Sequence, residues 1–405
     1  MSARPHRRGQ EEPSQTTDKP MESKVLSNLS PKWRNWWIRG FATALLLMVL
    51  AFVLWIGPLG LMFAVLIIQV KCFHEVISIG HKKYREYEFL YFRTLQWYFL
   101  MASNYFFYGE ILPSTFFVFF KTGNYLPVLL RYHLIISFLM YVSGLVAFVL
   151  TLQKGSYRMQ FKMFGWTHVT LLIIVTQSHL ILQNLFEGIF WFVLPLLLVV
   201  CNDIMAYIFG FFFGRTSLIQ LSPKKTWEGF IGAFFSTLLF GFLFAWFLAQ
   251  FEFFACPVEY REDSILAATL SCKPAFIFTQ QPYEVPLALH PILGKVLMIY
   301  PAQFHAVMLA AFASSIAPFG GFMASGFKRA FEIKDFDNLI PGHGGFMDRF
   351  DCQFLMATFT YVYVVTFVHA VKPNYVLRLF MSMNSEEQIS IYHQIEAHLR
   401  ETQLI

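Results

Sequence analysis

Repeated apolar stretches, each near the roughly 20 residues that a helix needs to cross a bilayer, constrain this chain most. The first runs from Phe41 to Val70 and is divided by Gly57-Pro58, which ends one helix and begins another. The later stretches cover about 95–112, 132–152, 163–185, 188–214, 229–248, 302–324 and 352–371. The sequence therefore predicts an all-α polytopic integral membrane protein with about nine transmembrane helices.

Composition excludes a water-soluble protein. Hydrophobic residues make up 56% of the chain and charged residues only 14%, whereas soluble domains average roughly 25% charged residues. Folding alone cannot hide this much apolar surface from water. The net charge of +6 is modest for a nucleic-acid binder and ordinary for a protein facing anionic lipids or phosphates. We expect a lipid bilayer and no nucleic acid as partners.

Polar and apolar segments divide the chain into four regions. We expect a disordered tail that ends in an interfacial cluster of Trp and basic residues, two blocks of transmembrane helices, and a C-terminal tail with an amphipathic surface helix. These regions are residues 1–39, 40–185, 186–371 and 372–405.

Basic residues indicate the orientation in the membrane. With the first tail placed in the cytosol, 23 of the 31 Lys and Arg residues fall on the cytosolic side, as the positive-inside rule requires. The loop 250–301 then faces the opposite, lumenal side. There Cys256 and Cys272 are near enough in sequence to form a disulfide, but we favour free thiols.

Asp203 is an acidic residue within the apolar stretch 188–214. A charge at the bilayer centre costs about 2.5 to 3.5 kcal/mol on insertion scales, and such acids usually serve a function. Asp203 is therefore a candidate metal ligand or phosphate-site residue. The alternative is a carboxylate that packs helices by pairing with an Arg.

The segment Ser222–Gly229 predicts a phosphate site at the start of a helix. Ser222 before Pro223 is typical of an N-cap followed by the first helical residue, so the Ser hydroxyl, backbone N–H groups and the ammonium groups of Lys224 and Lys225 would converge at a positive helix end. Lysines that only face lipid headgroups would fit this segment equally well.

The densest group of charges lies between Ser325 and Asp351. It includes Lys328, Arg329, Lys334, Arg349, Asp335, Asp337, Asp348 and Asp351. Asp348 and Asp351 are three residues apart and would share a helix face. Two carboxylates about 4 Å apart repel by about 4 kcal/mol at an effective dielectric near 20, which a divalent cation relieves. Ligands that are all oxygen favour Mg²⁺ over zinc.

A glycine-rich turn, Pro341–Gly345, lies inside this group and contains His343. Glycine lets backbone N–H groups approach an anion closely, so Gly344 and Gly345 are candidate phosphate-binding residues. The segment offers cations that can bind phosphate oxygens and acids that can bind Mg²⁺, and it has no evident Ser or Cys nucleophile. This combination indicates phosphoryl or nucleotidyl transfer.

The run SGFKRAFEIKDFDNLIPGHGGFMDRFD, at 325–351, resembles the signature of phosphatidate cytidylyltransferases, also called CDP-diacylglycerol synthases. The signature reads S-x-x-K-R, K-D and P-x-H-G-G-x-x-D-R-x-D, and all its positions are filled. SPKKTWEG at 222–229 and the pattern around Asp203 are similar to a second family block. The likeness extends from about Lys32 to the last span and is greatest to the animal, endoplasmic-reticulum branch. One departure is Gly321, where bacterial relatives carry an acidic metal ligand.

The resemblance implies a homodimeric nine-helix enzyme of the endoplasmic reticulum with a catalytic cavity and a paired-metal centre on the cytosolic side. Such an enzyme condenses CTP with phosphatidic acid, releases pyrophosphate and supplies CDP-diacylglycerol to the synthesis of phosphatidylinositol and other phospholipids.

From the residues and the resemblance together we assign three expected sets. The catalytic set is Asp348, Asp351, Lys328, Arg329, His343 and Arg349. The set that binds the phosphates of CTP is Ser222, Lys224, Lys225, Lys334, Gly344 and Gly345. The set that holds Mg²⁺, with room for a second metal ion, is Asp348, Asp351, Asp335 and Asp203.

Three alternatives stay open. A CTP-dependent polyprenol kinase of the dolichol kinase type shares a related CTP site. His343 and Asp348 also form H-x₄-D, the spacing of glycerolipid acyltransferases, in which the His is a base. A membrane transporter or scaffold would instead spread polar groups through the depth of several helices.

Overall fold

The computed structural model describes residues 31–83, 90–115, 126–223, 225–257, 272, 274–285, 290–337, 344–368, 380–381 and 383–402. The chain divides into two compact units between Ala357 and Thr358.

Helices dominate the first unit. They are α1 (Pro31–Ile56), α2 (Pro58–Lys83), α3 (Leu90–Thr115), α4 (Leu126–Arg131), α5 (His133–Leu150), α6 (Tyr157–Glu187), α7 (Ile189–Phe213), α8 (Trp227–Ala249), α9 (Glu252–Ala255), α10 (His290–Leu293), α11 (Pro301–Ser315), α12 (Pro318–Ala330) and α13 (Met347–Phe367). The last of these continues into the second unit.

Seven helical segments of the described residues are long and apolar enough to cross a membrane. They are Pro58–Gly80, His133–Leu150, Tyr157–Glu187, Ile189–Phe213, Trp227–Ala249, Pro301–Ala330 and Met347–Phe367. The all-α polytopic class is thus confirmed. The other two predicted spans are also helical, but the apolar part of α1 is short, Gly40–Ile56, and α3 contains polar residues such as Gln96 and Asn104. A total of nine spans therefore stays a prediction.

The helices pack in neighbouring pairs, with α7 against α8, α8 against α11, α2 against α6 and α3 against α5. A buried cluster that includes Phe73 on α2, Phe99 on α3 and Ile174 on α6 also takes in Ala324 on α12 and Phe336 after it. This cluster joins the end of α2 to the segment between α12 and α13. It thereby positions the charged residues predicted from the sequence.

The segment after α8 carries a cross-link and a small sheet. Cys256 and Cys272 form a disulfide, with their Cα atoms 5.8 Å apart, so the preference for free thiols was wrong. Cys256 follows directly after the short helix α9, which ends at Ala255, and it is completely buried. Strands β1 (Gln281–Glu284) and β2 (Val296–Ile299) follow as an antiparallel pair.

The second unit contains helix α14 (Ser385–Glu401) in the C-terminal tail. Asn384 caps it, because its side chain accepts a hydrogen bond from Glu387 N at 2.9 Å while the Glu387 carboxylate accepts one from Asn384 N at 3.3 Å. Ile389 and Ile395 are exposed on this helix. A helix with exposed apolar residues is what the amphipathic pattern in the tail predicts.

Candidate active site

The first part of the site is an ion pair between α12 and α13. Lys328 lies in the last turn of α12, and its Nζ is 2.6 Å from Oδ1 of Asp348 in the first turn of α13. Oδ2 of Asp348 accepts hydrogen bonds from Phe336 N at 2.9 Å and Gly345 N at 3.0 Å. The Asp348 side chain is only 2% exposed. The Asp348 carboxylate therefore connects α12, α13 and the segment between them.

This arrangement bears on the expected metal role of Asp348. A carboxylate offers about four acceptor positions, and Asp348 gives three of them to Lys328, Phe336 and Gly345. Asp348 is thus engaged mainly by groups of the protein. Its geometry shows a role in holding the site together, and its role as a metal ligand stays a prediction.

The glycine turn is shaped by carboxylates. Gly344 has φ +80°, and a Cβ on it would lie 2.8 Å from Asp348 Oδ2. A Cβ on Gly345 would lie 2.5 Å from an oxygen of Glu75. Since Gly345 donates its N–H to Asp348, that group is not directed at a substrate anion. The glycines thus admit protein carboxylates, whereas the sequence had suggested that they admit phosphate.

Glu75 is a site residue that the sequence analysis missed. It lies on α2 and is 4% exposed. Its Oε1 accepts a hydrogen bond from Phe346 N at 2.8 Å, and its Oε2 accepts one from Met347 N at 2.9 Å. The second span was predicted to end at Val70, whereas α2 continues to Lys83. The apolar Val76, Ile77 and Ile79 just after Glu75 were the signal for a longer helix.

A second group of charges lies on other helices. Asp203 on α7 and Asp351 on α13 interact electrostatically with each other and with Lys225, which precedes α8. Asp203 also interacts with Arg349 on α13. Two acids and two cations therefore come from three separate parts of the chain. Asp203, predicted from its position inside an apolar span, is brought together with the signature residues.

Gly321 on α12 marks the place where this group meets. A Cβ there would lie 3.5 Å from Asp351 Oδ2, 3.6 Å from Lys225 Nζ and 3.1 Å from Cys352 Sγ. Lys225 Nζ also lies 4.5 Å from the centre of the Phe322 ring. A larger side chain at 321 would contact both Asp351 and Lys225, so glycine leaves space between them.

The start of α8 differs from the prediction. Ser222 is not the N-cap; α8 begins at Trp227, and Thr226 caps it by accepting a hydrogen bond from Gly229 N at 3.2 Å. Ser222 lies in the preceding turn, where its carbonyl oxygen accepts from Lys225 N at 3.0 Å. The helix begins later than predicted because the residues before it pair with an earlier part of the chain. Trp227 N donates a hydrogen bond to the carbonyl oxygen of Thr216 at 3.1 Å.

The remaining predicted residues are less closely gathered. Arg329 and Lys334 are exposed, and Asp335 is half-buried beside Gly344. Lys224 and His343 lie outside the described residues.

An apolar cavity of about 520 Å³ adjoins the second group of charges. Residues of α1, α2, α6, α7 and α13 line it, and most of them are Leu, Val, Ile and Phe. Asp203 and Arg349 are also lining residues. The cavity thus combines a long apolar wall with one acidic and one basic side chain.

The acidic residues fit Mg²⁺ only as a pair. Among the described residues no three His, Cys, Asp or Glu side chains are grouped as metal ligands. Mg²⁺ in phosphate-transfer sites usually uses one or two carboxylates together with substrate phosphates. Asp203 and Asp351 satisfy that requirement, and the space at Gly321 lies beside Asp351.

Residues 37–367 match the Cytidylyltransferase family. The chain belongs to this family. Phosphatidate cytidylyltransferase 1 of Mus musculus is 54% identical over 379 residues, covering 93% of this chain and 82% of the relative. Phosphatidate cytidylyltransferase 2 of Homo sapiens is 51% identical over 378 residues, which cover 93% of this chain and 85% of the relative. Phosphatidate cytidylyltransferase of Caenorhabditis elegans is 48% identical over 387 residues, which cover 94% of this chain and 82% of the relative. The cytidylyltransferase match contains both groups of charges and confirms the resemblance inferred from 325–351.

Proposed function

We propose that this chain transfers CMP from CTP to phosphatidic acid and forms CDP-diacylglycerol and pyrophosphate. The observation that carries the proposal is the apolar cavity lined by Asp203 and Arg349 next to Asp351 and Lys225. Membership of the cytidylyltransferase family, and relatives named for phosphatidate as the acceptor, support the same reaction.

Phosphatidic acid binds with its acyl chains along the apolar wall of the cavity. Its phosphate then lies at Arg349, whose guanidinium can donate two parallel hydrogen bonds to phosphate oxygens. The acyl chains of a lipid already lie in hydrocarbon within the bilayer, so their entry into the cavity gains little from the hydrophobic effect. The apolar wall gives the chains a space of matching polarity, and Arg349 binds the headgroup and sets its position.

A phosphate oxygen of phosphatidic acid is the nucleophile. A phosphate monoester has a second pKa of about 6, so this oxygen is largely ionised at pH 7 and needs no protein base. It forms a new P–O bond to the α-phosphorus of CTP, and the bridging bond between the α-phosphorus and pyrophosphate breaks. The electron pair leaves with the pyrophosphate.

The protein contributes position and charge to this step. Lys225 places its ammonium group beside Asp351 and Asp203, where it stabilises charge on the phosphate oxygens of CTP. Asp203 and Asp351 are the residues that would hold Mg²⁺. When bound, Mg²⁺ supplies further positive charge to the phosphates. Lys328, paired with Asp348, keeps α12 and α13 in register for these contacts.

We place the enzyme in the endoplasmic-reticulum membrane with this site facing the cytosol. The disulfide Cys256–Cys272 supports a lumenal 250–301 loop, because disulfides persist in oxidising compartments. The excess of Lys and Arg on the segments predicted to be cytosolic, which include Lys225 and Arg349 of the site, supports the same orientation. The expected homodimer rests on the family resemblance alone.

Labelled CTP tests the reaction against its alternatives. Membranes that contain the protein receive phosphatidic acid and CTP labelled at either the α- or the γ-phosphorus. Label that enters lipid only from the α-position supports cytidylyl transfer. Entry from the γ-position would indicate a kinase, which is tested in parallel with a polyprenol acceptor, and no entry from either would favour a transporter or scaffold.

The acyltransferase alternative loses support from the family match. His343 lies outside the described residues, and residues 37–367, which contain the H-x₄-D spacing, match the Cytidylyltransferase family. The spacing is therefore better explained by the cytidylyltransferase signature that contains it.

A further inference from the structure

We propose that Glu75 is a positioning residue for the transfer reaction, a role that rests on the proposed function. Its buried carboxylate on α2 receives the first backbone N–H groups of α13, Phe346 N and Met347 N. The first turns of α13 carry Arg349 and Asp351. Glu75 therefore fixes the helix end from which two site residues project.

The geometry is that of a helix cap supplied from another helix. The first N–H groups of a helix have no partner within it and carry partial positive charge. A usual cap comes from a residue just before the helix, whereas Glu75 is 271 residues away from Phe346. Each carboxylate oxygen takes one N–H group, at 2.8 Å and 2.9 Å. This cap therefore fixes α2 and α13 relative to each other as well as completing α13.

A second carboxylate continues the same arrangement. Gly345 N donates to Asp348, so three consecutive N–H groups, those of Gly345, Phe346 and Met347, are bound by two carboxylates. Asp348 is itself held by Lys328. The start of α13 is thus held by Glu75 on one side and by the Asp348–Lys328 pair on the other.

The surroundings of Glu75 make a packing role alone insufficient. Its helix neighbours Phe73, Val76 and Ile77 are buried and apolar, and Asp337 and Asp348 add electrostatic repulsion. Burying a charge among such groups is unfavourable unless hydrogen bonds compensate. An apolar residue would fill the space at lower free-energy cost, but it would leave Phe346 N and Met347 N without these acceptors.

Glu75→Gln tests the role in the purified full-length protein. Gln has the same size but only one acceptor oxygen, so one of the two N–H groups loses its partner and faces an NH₂ group. A displaced α13 should lower kcat by about 10- to 100-fold, as small misplacements of reacting groups do. The KM values for CTP and phosphatidic acid should change by less than about threefold.

Gln69→Leu is the matched control. Gln69 is on the same helix, is 1% exposed and donates to Oδ1 of Asn104, on α3, at 2.7 Å. Its loss should lower thermal stability and leave kcat per folded molecule unchanged. If Gln69→Leu reduces kcat as much as Glu75→Gln, or if Glu75→Gln keeps the wild-type kcat, the proposed role of Glu75 is wrong.

Hydrogen exchange gives a readout that needs no substrate. In Glu75→Gln the peptide that covers 344–350 should exchange faster than in the wild type, while Gln69→Leu should leave it unchanged. Unchanged exchange in Glu75→Gln contradicts the cap whatever the reaction is, and an inactive wild type with the expected exchange contradicts only the proposed function. If Glu75→Gln does not fold, Glu75→Asp is measured in its place. A lowered kcat of Glu75→Asp supports the proposed role of Glu75, and a wild-type kcat contradicts it.

Discussion

Lys328 and Asp348 form an ion pair, Nζ to Oδ1 2.6 Å, that joins the last turn of α12 to the first turn of α13. The same Asp348 carboxylate binds two backbone N–H groups of the intervening segment. The Lys and Asp of the family signature are therefore partners of each other. Their shared role is to hold the charged residues around them in place.

Asp348→Asn should reduce both activity and stability. Removing one partner of a buried ion pair costs about 3 to 5 kcal/mol, and we expect the lower end because the Lys328 side chain is 17% exposed. Thermal unfolding in detergent, followed with CDP-diacylglycerol formation per folded molecule, measures both effects. A variant with wild-type stability and no turnover would instead favour a direct metal role for Asp348.

Asp351→Asn should abolish turnover without loss of stability. Asp351 and Asp203 repel each other, and neutralising one of two like charges relieves that repulsion. The wild-type Tm should rise on addition of Mg²⁺, because a ligand that binds only the folded state stabilises it. The Tm of Asp351→Asn should respond much less. An equal Mg²⁺ response in both proteins would remove Asp351 from the metal site.

Arg349→Lys should weaken the use of phosphatidic acid more than the use of CTP. Lys keeps the positive charge but loses the paired hydrogen bonds of the guanidinium. We expect KM for phosphatidic acid to rise by about tenfold, which corresponds to about 1.4 kcal/mol, with a smaller change for CTP. Steady-state rates in mixed micelles of varied lipid content provide the test. A rise confined to CTP would place Arg349 at the nucleotide.

Thr226→Ala and Ser222→Ala distinguish a cap from a ligand. Loss of the Thr226 cap should destabilise the protein by about 1 kcal/mol. Ser222→Ala should leave stability unchanged, since Ser222 contributes its backbone to the turn, and should raise KM for CTP if its hydroxyl binds phosphate. If Ser222→Ala has an unchanged KM for CTP and a lowered Tm, Ser222 has a structural role and does not bind phosphate.

The sequence predicted those parts of the structure that depend on local pattern. Apolar length located the helices, Gly57-Pro58 separated α1 from α2, and the charge of Asp203 in an apolar span marked a residue that interacts electrostatically with Asp351. These features need only the periodicity of a helix and the cost of burying a charge.

Contacts between distant parts of the chain were not predictable in the same way. The spacing of Asp348 and Asp351 placed both on one helix. It could not show which residues surround each of them, and the structure shows that their surroundings differ. Glu75 caps a helix 271 residues away, and no local pattern specifies such a partner. The cap at Thr226 depends on pairing with Thr216, which also lies beyond the helix itself.

The disulfide Cys256–Cys272 has a practical consequence for making this protein. It closes a segment that leads to β1 and then to α11, so we expect correct folding to need an oxidising environment on the side of the membrane where this segment lies. Cys72, Cys201 and Cys352 are free thiols and are buried. Hosts that insert the chain into a membrane with an oxidising lumen should therefore yield more active enzyme than reducing cell-free systems.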